Sequence, residues 1–89
     1  MVTFIVTHEV KDFGHWKEGF EADEPNRVKQ EIKSLGLYTS TDNSNLVTII
    51  FEAPNEEAVN GMMNSPELKV AMQNAGVISV PEVKILNKV

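Results

Sequence analysis

The sequence predicts an α+β fold, one antiparallel sheet with helices packed on it, in the order strand, helix, strand, strand, helix, strand. Three observations carry that expectation. Val2–Phe20 changes its hydrophobic period midway: Val2, Phe4, Val6 and His8 alternate with Thr3, Ile5 and Thr7, and past Asp12 the spacing turns helical, with Phe13, Trp16 and Phe20 at i, i+3 and i+7. Two strand-like runs flank the turn formers Thr41–Asn45. A capped helical stretch then leads into a last alternating run at the C-terminus.

The first strand covers about Val2–Glu9, and Asp12 is the expected N-cap of a helix from Phe13 to about Ala22. Gly14 and Gly19 weaken that helix by up to ~1 kcal/mol each, so packing must hold it. Asp23-Glu24-Pro25-Asn26 interrupts it, and Pro25–Glu31 reads as a second short helical piece. Ile32–Ser40 admits two readings, a helix that continues to Ser34 and stops at Gly36, or a strand from near Ile32 with Leu35 and Leu37 on one face and Gly36 and Tyr38 on the other; the strand is favoured because the partner after the turn is equally long. Its partner Leu46–Ala53 is apolar on both faces, which suggests burial on both sides. Asn55 caps the next helix, whose apolar face is Ala58, Val59, Met62 and Met63. Ser65 and Pro66 restart it, Leu68, Met72 and Ala75 continue the stripe, and Gly76 ends it. Glu82–Val89 is the last strand.

A right-handed crossover on each side of a central hairpin gives a ferredoxin-like βαββαβ sandwich, a four-stranded antiparallel sheet with its helices on one face. The other face then needs a cover. A second copy of the chain is the simplest one, which makes a homodimer the expected state.

Bulk properties narrow the function classes. At 89 residues the chain forms a single domain spanning 1–89. Folding hides about 64% of the unfolded surface of such a chain, enough for one small core with little margin. Thirteen acids against eight bases give a net charge of −5, which repels phosphate backbones and argues against nucleic acid as a partner. Cysteine is absent, so there is no disulfide framework, thiolate nucleophile or cysteine metal site. No apolar run approaches the ~20 residues that span a bilayer, so no membrane role is expected. The N-terminus does not read as a signal peptide, and the expected location is the cytoplasm.

The stretches His8-Glu9-Val10-Lys11-Asp12-Phe13-Gly14-His15-Trp16-Lys17 and Ser65-Pro66-Glu67-Leu68-Lys69, with Met72 and Ala75-Gly76-Val77, carry a resemblance. They resemble a family of short bacterial proteins, loosely called cyclase-like, in the dimeric α/β-barrel superfamily. That superfamily includes antibiotic-biosynthesis-type monooxygenases, polyketide cyclases, muconolactone isomerases and haem-binding relatives of chlorite dismutase. The resemblance covers nearly the whole chain. It implies a dimer and a pocket between sheet and helices; it implies no single mechanism.

The candidate site residues follow from that pocket. His8 shares strand parity with Phe4 and Val6 and is expected at the open end of the cavity, where its near-neutral pKa suits proton transfer. Tyr38 is the candidate to polarise a substrate oxygen. Phe4, Trp16, Phe20 and Phe51 form the expected apolar wall, and Arg27, the lone arginine, is a candidate anion anchor. Arg27 can instead pair with Asp12, Asp23 or Glu31. Met62, Met63 and Met72 suit a core or an adaptable pocket lining. His15 is read as a surface residue, and no metal-ligand spacing is matched. Neither a phosphate-binding loop nor a nucleophile elbow is present, and no cofactor is expected. The functional expectation is a small aromatic or polyketide-like ligand, with cofactor-independent monooxygenation or cyclisation as the chemistry. The alternative is a non-catalytic binding or assembly module with a filled core.

Overall fold

The structure is a computed structural model that describes residues 1–89. Eight elements follow the expected order: β1 (Val2–Glu9), α1 (Phe13–Ala22), α2 (Glu24–Lys29), β2 (Lys33–Thr39), β3 (Leu46–Ala53), α3 (Glu56–Met63), α4 (Pro66–Asn74) and β4 (Glu82–Leu86). The sheet order is β2-β3-β1-β4, all antiparallel, as in a ferredoxin-like α+β fold. Both helical crossovers are broken in two. Asp23 separates α1 from α2, and Asn64-Ser65 separates α3 from α4.

Helices α1, α3 and α4 each start where a side chain satisfies a free amide. Asp12 accepts from the His15 amide at 2.9 Å, Asn55 from Ala58 at 2.8 Å and Ser65 from Leu68 at 3.4 Å. Ala75 caps α4, and Gly76 follows at φ +85°, the left-handed conformation that suits glycine one step beyond the cap. The Gly76 carbonyl accepts the Lys11 amide at 2.8 Å, and Val77 bridges to Val10, so the end of α4 is tied to the end of β1.

The core lies between the sheet and the helices. Val47, Ile49, Phe51 and Ala53 of β3 and Phe4 and Val6 of β1 are buried there, with Trp16 of α1, Ile32 and Val59 of α3. Intervening residues face the other way, as a period of two requires. On that outer face Ile5 pairs with Ile50, and Thr7 meets Thr48 with their hydroxyls 3.1 Å apart. Ile5 and Ile50 are half-buried, while Tyr38, Leu46 and Leu86 on the same face are exposed.

Two boundaries and one strand register differ from expectation. The second helical piece runs Glu24–Lys29, because Glu31 takes φ +60° and turns the chain so that Ile32 enters the core. The last strand stops at Leu86, where its register with β1 ends at Thr3. A bulge between Ser34 and Gly36 inserts Leu35 as an unpaired residue. Leu37 therefore packs against the core while Leu35 is left exposed, and the two do not share a face.

Candidate active site

Parity on β1 and β3 sends Val6, His8, Ile49 and Phe51 toward the helices, where they floor a cavity of about 70 Å³. Trp16 and Phe20 of α1 make one wall. Met62 and Met63 of α3, with Leu68 and Met72 of α4, close the opposite side. Both helical walls follow from the spacing of their apolar residues, i and i+4 in α1 and in α4. Small residues let α1 and α4 approach: a Cβ on Gly19 would lie 3.3 Å from the Ala75 Cβ.

The wall is a run of aromatic contacts. His8 meets Trp16 edge-on, with ring centres 5.5 Å apart. Trp16 stacks on Phe20 at 5.0 Å, and the Arg27 guanidinium lies over Phe20 at 3.9 Å from the ring centre. An apolar cavity thus has a histidine at one end of its wall and a cation at the other.

His8 is 4% exposed, and its Nδ1 has no hydrogen-bond partner. Burial lowers its pKa below the usual histidine value, opposed in part by a hydrogen bond to its own backbone. The ring is therefore mostly neutral at pH 7, one nitrogen carrying an N–H and the other a lone pair. Burial rather than solvent contact defines its place, which corrects the expectation that it stands at the open end. The unfolded chain titrates near ~6.5, so just below that pH the unfolded state binds more protons than the folded one. Stability is full above ~6.5 and falls as pH drops from there to the lowered folded value. The melting temperature is accordingly expected to fall between pH 7 and pH 5, and His8→Gln to flatten that slope.

Arg27 is 7% exposed. Its Nη2 donates to the Phe20 carbonyl at 2.8 Å, closing the last turn of α1, and its Nη1 lies 3.8 Å from Asp23. Burial lowers its pKa, opposed by the charges of Asp23 and Glu24. Of the pairings read from the sequence, Asp23 is the one formed.

Two predicted site residues are elsewhere. Tyr38 pairs with Thr48 on the outer face and is 56% exposed, so the sheet separates it from the cavity. Its ring lies against Gly36, where a Cβ would come within 2.7 Å of it. Phe4 is fully buried and stacks on Phe51 at 4.9 Å, behind the cavity floor rather than lining it. His15 is exposed, and its Nε2 donates to the Asn74 carbonyl at 3.0 Å, joining α1 to the end of α4 away from His8. No group of three or more histidine or carboxylate side chains converges closely enough to hold a metal ion. No helix is long and apolar enough to cross a membrane. Sequence reasoning missed Val6, Ile49, Ala71 and Asp23 as lining residues. For Val6 and Ile49 the signal was present, since they share parity with His8 and Phe51.

Comparison with protein-family models and with curated proteins finds no match to this sequence. Solved structures do match in fold. A protein from Bordetella bronchiseptica, described as a candidate antibiotic biosynthesis monooxygenase, aligns with a TM-score of 0.77 at 13% identity, over 99% of this chain and 96% of the other. A single-site variant of SnoaB, a cofactor-independent oxygenase from Streptomyces nogalater, aligns with a TM-score of 0.70 at 15% identity, over 98% and 91%. A conserved protein from Methanosarcina mazei aligns with a TM-score of 0.72 at 16% identity, over 98% and 91%. The chain therefore has the ferredoxin-like α+β fold shared with antibiotic biosynthesis monooxygenase-type proteins.

Proposed function

We propose that the protein is a homodimer that binds a small aromatic molecule in the cavity of each subunit and oxygenates it without a cofactor. The observation that carries this reading is His8, buried in an apolar, aromatic-walled cavity with its Nδ1 unpartnered. A neutral imidazole there takes a proton from an acidic C–H or O–H of the ligand. The electron-rich anion so formed is the species that reacts with molecular oxygen, and the apolar lining keeps water from quenching it. Two solved structures of the same fold described as oxygenases, one of them cofactor-independent, support the choice of reaction. Cyclisation would use the same proton transfer.

The cavity is small. At about 70 Å³ it lies well below the ~300 Å³ at which ligand pockets usually begin. Met62, Met63 and Met72 line it, and their unbranched side chains can move aside for a ring. The small volume also favours the second reading, a non-catalytic module whose core is nearly filled.

Oxygen uptake separates the two. With a panel of enolisable aromatic ketones, the protein is expected to accelerate uptake, and His8→Gln to lower the rate by roughly 10²-fold or more. An unchanged rate in the variant would remove His8 from its role, and no acceleration by the native protein would leave the filled-core module.

A further inference from the structure

Arg27 has more hydrogen-bonding capacity than the fold uses. A guanidinium carries five N–H donors. Only one hydrogen bond is made, from Nη2 to the Phe20 carbonyl. Nη1 approaches Asp23 no closer than 3.8 Å, which is beyond hydrogen-bond length. The side chain is nonetheless 8% exposed. A buried cation with so few partners is costly unless something else satisfies it.

Its position says what that partner is. Arg27 lines the apolar cavity and also an adjoining polar groove of about 220 Å³, together with Asp23, Met62, Leu68 and Ala71. One guanidinium face is closed by the Phe20 ring, so the unused donors lie in the plane of the group. An oxyanion in that plane would leave its aromatic body against Phe20 and Trp16, which stack on each other. Asp23 and Glu24 stand close to the same cation. With Arg27 they already sum to −1, so every added negative charge is opposed and a dianion is opposed most, which argues against phosphate esters and other dianions.

Building on the cavity reading above, we infer that the ligand is a monoanionic aromatic acid, its carboxylate on the free edge of Arg27 and its ring along Phe20 and Trp16 toward His8. The structural duty of Arg27, closing α1, falls on Nη2. The ligand-binding duty falls on Nη1 and Nε.

Calorimetric titration of the native protein at pH 7 with 2-naphthoate and with its methyl ester tests this without any substitution. The acid is expected to bind at least tenfold tighter than the ester, because only the acid brings a charge to a desolvated guanidinium. In Arg27→Met the preference for acid over ester should vanish, whatever loss of affinity the two ligands share. In Arg27→Lys, which keeps the charge but loses the planar fork, it should shrink. Equal binding of acid and ester to the native protein, or tighter binding of the ester, overturns the acid assignment and leaves the cavity reading standing. Binding of neither overturns both.

Discussion

Phe51→Ala is expected to lower the unfolding free energy by about 3–5 kcal/mol, the usual range for truncating a buried phenylalanine. Phe51 is 2% exposed at the centre of β3. It stacks on Phe4 at 4.9 Å and meets Phe20 at 6.2 Å, so it ties the sheet to α1 and floors the cavity at once. Domains of this size have about 5–15 kcal/mol in total, so the variant should stand close to unfolding. Denaturant titration measures it: the midpoint should fall sharply with the slope unchanged. A loss under about 1 kcal/mol would mean that the helices are held by contacts other than this aromatic layer.

The second large effect lies on the other side of the sheet. In the proposed homodimer a partner covers the outer face, where Ile50 sits opposite Ile5 with Thr48 and Glu52 as its neighbours along β3. Ile50→Lys places a charge at the middle of that face, one strand from Ile5, whose other partner is Lys84. Burying it would cost about 3–5 kcal/mol, a weakening of association by two to four orders of magnitude. Ile50 is only half-buried within the subunit, so the fold itself should tolerate the change. Light scattering is expected to give a dimer for the native protein and a species of 9.9 kDa for the variant. A native monomer, or a variant that stays dimeric, would show that this face is not the interface.

Much of the architecture was legible because the sequence repeats the same message locally and globally. The period change in Val2–Phe20, the caps Asp12, Asn55 and Ser65, and the paired strands around Thr41–Asn45 each fix one element, and they agree with one another. Trp16, Phe20, Phe51 and Arg27 all line the cavity, and His8 joins them through strand parity alone. Tyr38 was misplaced for a different reason. Parity put it on the face away from Leu37, which is correct, but nothing local says which face of β2 meets the helices. That depends on pairing with β3, a contact between distant parts of the chain. The Leu35 bulge compounds the difficulty, since one inserted residue reverses the parity of all that precedes it. Phe4 was placed on the right face but one layer too deep to touch a ligand, a matter of packing depth that a period of two does not encode.

The central claim is that the space between the sheet and the helices admits an aromatic ligand. Methionine methyl resonances test it directly. Met62, Met63 and Met72 line the cavity, whereas Met1 is 74% exposed at the terminus and serves as an internal control. In protein labelled with ¹³C at the methionine methyls, saturating 2-naphthoate is expected to shift the three cavity signals through the ring current of the bound aromatic and to leave Met1 where it was. Four unmoved signals, or a shift confined to Met1, would contradict the cavity reading and leave a filled core.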